Sequence, residues 1–350
     1  MTLIDELHSG LAAVGRVALA QLPTPLHLAP RLSEELGIPV WLKRDDLTGI
    51  GLGGNKVRAL EYLLADALAD DCDCLVTGAG AQSNWTMLAA LTAARYGLDP
   101  YVVCYGDCAA DRGNLLLHRQ IGTTISFTGD PERSSVDRAM DELATELRDR
   151  GRRPYVVPRG GATSIGALGY VRASFELSAQ LAALTDPPTA LWLAAGSGGT
   201  CAGLVAGAAL RATSCAIVGV TVSRPVDDIT AQVRRLAAGA LDMVGGAFAH
   251  EVRQHAAAGG GVSSPQVGKP AIAVDIRDGW IGPGYGLASS EGDRAAALLA
   301  RTEMVFLDPV FGAKAMAALI DGARSGEVTE PAAFLVSGGA PTLFTGPAAR

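Results

Sequence analysis

The chain has 350 residues, of which 49% are hydrophobic and 19% are charged, and its formal net charge is −7 at pH 7. This length and composition predict a substantial core, arranged as one large domain or two medium ones. The acidic balance argues against nucleic acid and anionic membranes as partners. Charged residues interrupt the apolar residues of positions 1–21, so we predict neither a signal peptide nor a membrane span, and a cytoplasmic protein.

Short apolar runs alternate with alanine- and leucine-rich helical patterns along the chain. Near-continuous apolar strands that alternate with helices predict parallel sheets covered on both faces, here as two αβα units. The predicted strands are 40–43, 74–77, 101–105, 124–127, 155–157, 191–194, 217–222, 305–307 and 333–336. The predicted helices are 60–68, 85–96, 115–120, 136–149, 165–184, 203–212, 229–238, 291–302 and 312–323.

Two further features concern linkers and cysteines. Turn-rich residues at 128–135 and 259–269 predict loops. The spacing of the six cysteines matches no common zinc motif, and no histidine lies near them in the sequence. We therefore predict buried free thiols rather than disulfides, and no metal site.

A lysine at a glycine-rich turn is the first candidate for chemistry. Gly53, Gly54 and Asn55 place Lys56 between a predicted strand and a predicted helix. The positive end of a helix dipole lowers the pKa of an ammonium group there, which favours a neutral amine that can attack an aldehyde. The alternative interpretation is a surface lysine after a flexible loop.

Three strand ends supply candidate binding groups. After strand 74–77, Ser83 and Asn84 open a helix whose free N–H groups could bind a carboxylate, although both residues are also common helix caps. After strand 191–194, Gly196–Thr200 predicts a phosphate cradle, or else a tight turn; it lacks the lysine of a nucleotide P-loop, which argues against a phosphotransferase. After strand 333–336, Ser337 could meet a heteroaromatic nitrogen or cap a turn.

An imine-forming lysine, a metal-free phosphate cradle, a carboxylate site and a hydroxyl for a ring nitrogen suit one cofactor, pyridoxal phosphate, with an amino-acid substrate. Six motifs carry a family resemblance: GGNKVRALE at 53–61, QSN at 82–84, GSGGT at 196–200, PGYG at 283–286, LDPV at 307–310 and SGG at 337–339. In this order they resemble the D-cysteine desulfhydrase and 1-aminocyclopropane-1-carboxylate deaminase family of pyridoxal phosphate enzymes, which has the tryptophan-synthase-β-like fold, fold type II.

The resemblance implies a homodimer with the cofactor between two α/β domains. The larger domain would comprise residues 1–56 and 166–350, and the smaller, substrate-side domain residues 57–165. Lys56 would hold the cofactor covalently, Asn84 would bind its ring oxygen, and Ser337 its ring nitrogen. The phosphate would lie on Gly196, Ser197, Gly198, Gly199 and Thr200. Ser83 would bind the substrate carboxylate, and Tyr285 would face the substrate.

Two residues depart from the family pattern. Trp85 stands where the family usually has His or Gln, and Phe311 stands where it usually has Tyr. Both are predicted to line the substrate site, and Phe311 cannot act as a proton donor. We predict a lyase that removes the α-proton and then eliminates or replaces a β-substituent of a small, cysteine-like amino acid. The alternatives are cyclopropane ring-opening deamination, epimerisation and a non-catalytic protein that binds the cofactor.

Overall fold

The computed structural model describes residues 10–211, 215–257 and 272–345. The loop predicted at 259–269 lies outside these residues. Among the residues described, the strands are β1 Leu26–Leu28, β2 Val40–Arg44, β3 Cys74–Ala79, β4 Asp99–Cys104, β5 Thr124–Phe127, β6 Pro154–Val157, β7 Ala190–Ala195, β8 Ala216–Thr221, β9 Asp275–Arg277 and β10 Ala332–Val336.

Helices alternate with the strands along most of the chain, as predicted, but the last two helices follow one another without a strand between them. They are α1 Pro30–Leu36, α2 Lys56–Ala69, α3 Asn84–Arg95, α4 Gly113–Gln120, α5 Ser135–Asp149, α6 Ser164–Ala182, α7 Gly199–Arg211, α8 Val226–Ala257, α9 Ser290–Glu303 and α10 Gly312–Ser325. Short 3-10 turns lie at Asp45–Leu47, Arg159–Gly161 and Ala340–Phe344.

The strands form two sheets. Six strands pair in the order β1-β2-β10-β7-β8-β9, and four pair in the order β5-β4-β3-β6. Every pair is parallel except β1 with β2, where Leu26 lies opposite Lys43 in antiparallel register. The predicted α/β fold with two parallel sheets is confirmed, with one antiparallel edge strand added.

Both faces of the larger sheet are buried, which explains its apolar strands. Successive side chains of a strand point to opposite faces. Leu191 and Leu193 of β7 pack in the core on the side of α6, α7 and α8. Trp192, between them, packs on the other side with α1, α9 and α10. The helices therefore cover the sheet on both sides, as a parallel sheet requires.

The smaller sheet has the same construction. Leu75 of β3 packs with α2 and α3 on one face, while Cys74 and Val76 pack with α5 on the other. Its strands all lie between residues 74 and 157, inside the smaller domain that the sequence predicts. The domain boundaries themselves stay a prediction.

Some expected elements differ from those observed. The predicted strand 305–307 is wrong: Val305 and Leu307 are buried and Phe306 is exposed, but the segment pairs with no described strand. The chain reaches it through Met304 in the left-handed conformation at the end of α9, with φ 57°. Strands β1 and β9 were not predicted because each has only three residues and no apolar run.

The cysteines lie mostly in the cores. None of the six forms a disulfide, and Cys74, Cys104, Cys201 and Cys215 are buried, as predicted. Cys108 is exposed and Cys72 is only half-buried, so the prediction of a buried thiol is wrong for Cys108 and is not fully met for Cys72. Separately, none of the helices in the described part of the chain is both long enough and apolar enough to cross a membrane.

Candidate active site

A cavity of about 730 Å³ lies between the two sheets. Its walls come from the segments that follow the carboxyl ends of β3, β7, β8 and β10, the usual position of ligands in parallel sheets. Eleven of the twelve site residues predicted from the sequence line it: Lys56, Ser83, Asn84, Trp85, Gly196, Ser197, Gly198, Thr200, Tyr285, Phe311 and Ser337. Gly199, the twelfth, begins helix α7 beside the cavity.

The turn before Lys56 is fixed by close backbone contacts. Gly53 has φ 73°, and a Cβ atom there would lie 1.8 Å from the carbonyl oxygen of Asp46, so only glycine fits. The N–H of Asn55 donates to the carbonyl oxygen of Ser337 at 3.0 Å. These contacts place Lys56 as the first residue of α2, at the cavity wall.

The Lys56 amine has a perturbed pKa. Burial lowers it to about 8, and the carboxylate of Asp308 partly opposes this shift. The direction agrees with the sequence-based prediction, but the main cause is burial rather than the helix dipole. With this pKa the amine is neutral in about one tenth of molecules at pH 7, far more than at its ordinary value, and nucleophilic attack and proton abstraction require the neutral form.

Asp308 is a site residue that the sequence did not predict. Its Oδ1 accepts hydrogen bonds from the N–H groups of Val310 at 3.0 Å and Phe311 at 2.7 Å, and its Oδ2 accepts from Gly312 at 2.9 Å. Burial nevertheless raises the pKa of Asp308. An aspartate followed by proline before a helical pattern is a capping signal that could have identified it.

The wall provided by the smaller sheet begins with Ser83. Its Oγ accepts from the N–H of Thr86 at 3.3 Å, so Ser83 caps α3, as the alternative interpretation held. Ser83 also lines the cavity, so its capping role is compatible with a role in ligand binding. The first N–H groups of a helix have no partner within it, so the backbone at Asn84 and Trp85 can bind a carboxylate.

The orientation of Asn84 is set by neighbours. Asn114 donates through Nδ2 to Asn84 Oδ1 at 2.8 Å and to the carbonyl oxygen of Gln82 at 2.9 Å. Because Asn84 Oδ1 accepts this bond, the Asn84 Nδ2 group is the one left to donate to a ligand oxygen. Asn114 carried no sequence signal, since it lies 30 residues from Asn84.

The glycine loop joins β7 to α7. Gly198 has φ 90°, a conformation that favours glycine, and the loop lies at the positive end of the helix. Thr200 Oγ1 accepts from Asn55 Nδ2 at 3.0 Å, so its own proton is free to be donated. A Cβ atom on Gly196 would lie 2.9 Å from the Phe311 ring. Backbone donors, hydroxyls and a helix start suit a phosphate dianion.

Ser337 follows β10 at the floor of the cavity. Its backbone carbonyl binds Asn55, and its Oγ has no hydrogen-bond partner among the residues that the structure describes. The alternative role as a cap is not observed, because the next 3-10 turn has Gly339 at its N-cap and no side-chain cap. A free hydroxyl at this strand end suits a ring nitrogen of a cofactor.

Tyr285 and Phe311 form the opposite wall. Their rings are perpendicular, at an interplanar angle of 76° with centroids 6.2 Å apart. The guanidinium of Arg133, from the smaller-sheet side, lies 3.7 Å from the centre of the Tyr285 ring. Lys314 fixes the Tyr285 loop, donating through Nζ to the carbonyl oxygens of Ile281 at 2.6 Å and Gly284 at 3.0 Å.

Trp85 belongs mainly to the core. Its side chain is 2% exposed, and Nε1 donates to Thr77 Oγ1 at 2.8 Å. A Cβ atom on Gly161 would lie 2.3 Å from the indole ring, so the ring packs directly against that glycine. The indole N–H is therefore occupied, and Trp85 can act on a ligand only through shape and its backbone.

The residues present fit pyridoxal phosphate. Lys56 offers an amine with a lowered pKa, Gly196–Thr200 backbone donors and hydroxyls for a phosphate, and Asn84 a fixed amide donor. Ser337 offers a hydroxyl without a hydrogen-bond partner among the residues that the structure describes. No metal-binding cluster is needed, and no group of three or more His, Cys, Asp or Glu residues that could hold a metal occurs in the part of the chain described.

Comparisons with known proteins agree with this site. Residues 17–338 match the family profile described as pyridoxal-phosphate dependent enzyme. The chain is 36% identical over 347 residues to D-cysteine desulfhydrase of Yersinia pestis (strain Pestoides F), covering 97% of this chain and 98% of that protein. It is 38% identical over 341 residues to D-cysteine desulfhydrase of Salmonella choleraesuis (strain SC-B67), covering 94% and 95%.

A solved structure gives the same result. The crystal structure of an ACC deaminase homologue aligns with a TM-score of 0.86 and 34% identity, covering 97% of this chain and 96% of that one. The predicted family, fold type, lyase class and cofactor are thereby confirmed. The chain belongs to the family of pyridoxal-phosphate dependent enzymes.

Proposed function

We propose that this enzyme removes the α-proton of a small amino acid and eliminates a β-substituent that leaves as a stable anion. The observation that carries the proposal is one cavity that combines a lysine with a lowered pKa, a helix start suited to a carboxylate, and the hydroxyl of Ser337, which has no partner within the described residues. The D-cysteine desulfhydrases that the chain resembles support a cysteine-like substrate.

Each residue has a defined role in this proposal. Lys56 holds the cofactor and, once released, takes the proton from the α-carbon. Ser83 and the first N–H groups of α3 hold the carboxylate, which orients the α-proton. Pyridoxal phosphate, when bound, supplies an electron sink for the electrons of the broken C–H bond. A neutral hydroxyl from Ser337 at the ring nitrogen makes that sink moderate, which suits elimination better than transamination.

Phe311 restricts the reactions open to the site. A phenyl ring cannot donate a proton, whereas opening an unactivated cyclopropane needs an acid or an added nucleophile. General acid–base help is worth about 10²–10⁴ in rate. A substituent that leaves as a sulfur oxyanion, sulfide or chloride needs little such help. We therefore expect β-elimination and little ring opening.

The direct test is pyruvate release from the D and L isomers of β-chloroalanine by the purified enzyme. Borohydride reduction and peptide mapping should place the pyridoxyl group on Lys56. Label on Lys43 or Lys314 instead, or no pyruvate from either isomer, would refute the proposal.

A second experiment tests the role of Phe311. We expect wild type to be inactive, or nearly so, on 1-aminocyclopropane-1-carboxylate, and Phe311→Tyr to gain ring opening if the phenol was the missing group. Tyr285→Phe serves as the matched variant, because Tyr285 carries the phenol whose ring packs against Phe311. Efficient ring opening by wild type would contradict our interpretation of Phe311.

The homodimer, the cytoplasmic location and the two domain boundaries stay predictions. They derive from the family resemblance and from the composition of the chain. Light scattering coupled to size exclusion would measure the oligomeric state of the holoenzyme, and a monomer would contradict the first of them.

A further inference from the structure

Three arginines line the cavity, and the roles proposed so far use none of them. Arg133 precedes α5, Arg159 lies in the 3-10 turn Arg159–Gly161, and Arg224 follows β8. They come from three distant segments, which the fold brings to one cavity. We call these three residues the arginine cluster.

The charges of the cluster are incompletely balanced. Arg159 forms a two-bond ion pair with Asp137, at 2.8 and 2.7 Å. Arg133 stacks on the Tyr285 ring and has no carboxylate partner among the residues described. Arg224 likewise has no side-chain hydrogen bond or ion pair in the described part of the chain. The cluster therefore carries about two uncompensated positive charges.

The arginines lie close enough to repel one another. The pKa of Arg224 is lowered first by burial and then by the positive charges of Arg133 and Arg159, while Asp228 and Tyr285 oppose this. Its backbone is fixed all the same, because Thr221 Oγ1 donates to the carbonyl oxygen of Arg224 at 2.7 Å. Partly buried cations held together without anions are costly unless a ligand supplies the negative charge.

The position of the arginine cluster indicates which part of a bound ligand it would contact. The cofactor phosphate has its own cradle at Gly196–Thr200, and the substrate carboxylate has the start of α3. Arg133 instead lies on Tyr285, which packs against Phe311 on the wall where we place the substrate side chain. A negative charge on the β-substituent would lie beside the cluster.

We propose that the preferred substrate of this site carries an oxyanion, such as a sulfonate, on its β-carbon, and that Arg133 and Arg224 bind it. This inference rests on the proposed elimination reaction and deepens it. Guanidinium groups match such oxyanions with paired hydrogen bonds. A β-sulfonate also suits Phe311, because it needs no proton in order to leave.

The reaction balances without any further reactant than water. Lys56 takes the α-proton, the Cβ–S bond breaks, and sulfur leaves with the bonding electron pair as sulfite. The resulting enamine of the amino acid takes up water and yields pyruvate and ammonium. No oxidant or reductant is required.

The kinetic test compares 3-sulfoalanine with β-chloroalanine. We expect wild type to prefer the anionic substrate, and Arg224→Gln and Arg133→Gln to lower that preference by about ten- to a hundredfold, mainly through KM. Arg138→Gln is the matched control, since Arg138 is a highly exposed arginine on α5, with a side chain 76% exposed. Equal effects on both substrates would overturn the proposal.

A binding test separates this inference from the proposed reaction. 3-Sulfopropionate has no amino group and cannot react, so calorimetry with the holoenzyme measures recognition alone, with propionate as its control. We expect 3-sulfopropionate to bind at least about tenfold more tightly, and Arg224→Gln to remove the difference. Loss of affinity for pyridoxal phosphate in the arginine variants would instead assign the cluster to the cofactor phosphate and refute the proposal. Elimination can fail on every substrate while this binding difference persists.

Discussion

Two groups of charged residues, one around Arg58 of α2 and the other the arginine cluster, differ in how their charges are balanced. Arg58, in the first turn of α2, donates to both carboxylate oxygens of Asp45, at 2.8 and 2.9 Å. It also donates to both carboxylate oxygens of Glu176, at 3.0 and 2.9 Å. Lys43 also binds Glu176. Two cations thus meet two anions, whereas the arginine cluster has three cations and one carboxylate. The balanced network stabilises the fold, whereas we propose that the unbalanced cluster binds an anionic group of a ligand.

The largest expected effect comes from breaking the balanced network. Arg58→Met would leave Asp45 and Glu176 buried with one cation between them, and should cost about 3–5 kcal/mol in the free energy of unfolding. Arg224→Met removes an unpaired charge of similar size and should cost less than about 1 kcal/mol. Urea unfolding of both variants at pH 7 measures the difference. Equal losses would show that charge balance does not separate the two groups.

The same network has a pH dependence with a defined sign. Burial raises the pKa of Asp45, but Arg58, Lys43 and the Tyr170 hydroxyl together outweigh burial and hold that pKa below its ordinary value of 3.8. The pKa of Glu176 is likewise held below 4.5 by Arg58 and Lys43 against the effect of burial. This contribution is therefore complete above the ordinary values and is lost as the pH falls through the lowered ones. Arg58→Met should flatten the acid limb of the stability curve.

Lys314 is intermediate between the balanced network and the arginine cluster, because its buried ammonium group donates to backbone carbonyl oxygens. Lys314→Met would release the carbonyls of Ile281 and Gly284 and loosen the loop that carries Tyr285, at a cost of about 1–3 kcal/mol. We expect KM to rise about tenfold, with a smaller change in kcat, and faster hydrogen exchange over residues 281–286. Arg324→Met, an exposed change on the same helix, is the control. Unchanged exchange in the loop would remove Lys314 from its positioning role.

The smallest expected effect concerns the pair formed by Lys56 and Asp308. Uptake of pyridoxal phosphate by the apoenzyme should accelerate as the pH rises through about 8, because only the neutral amine reacts. Asp308 raises the pKa of Lys56, so Asp308→Asn should move this profile to lower pH. Asp149→Asn, an exposed change at the end of α5, should leave it in place. A profile that shifts to higher pH would contradict the assigned interaction.

Sequence patterns predicted the parts of the molecule that are local in the chain. Lys56 after two glycines, Ser83 at a helix start and Gly196–Thr200 after a strand each combine a turn signal with an adjacent element. The arginine cluster could not be found in this way, since residues 133, 159 and 224 meet only in the folded chain. The same holds for Asn114, which orients Asn84 from another helix.

The segment 305–307 is a case in which a local sequence pattern gave a wrong prediction. Its alternating burial is what a strand would show, yet β10 already has β2 on one side and β7 on the other. Periodicity reports which side of an extended chain is buried, not whether a hydrogen-bonding partner is free. Sequence-based prediction of strands is therefore weakest where extended chain passes over a core without joining the sheet.

The glycine loop has a consequence for how this enzyme can diversify. Backbone N–H groups and two small hydroxyls make up the proposed phosphate cradle at Gly196–Thr200, and close backbone geometry at Gly53 and Gly198 fixes the turns around it. The opposite wall is made of the long side chains of Arg133, Arg224, Tyr285 and Phe311. Single substitutions there can alter the substrate without disturbing the cradle. The glycine loop, which depends on backbone geometry, therefore tolerates few substitutions. The side-chain wall can change its substrate specificity through a single base change in one codon.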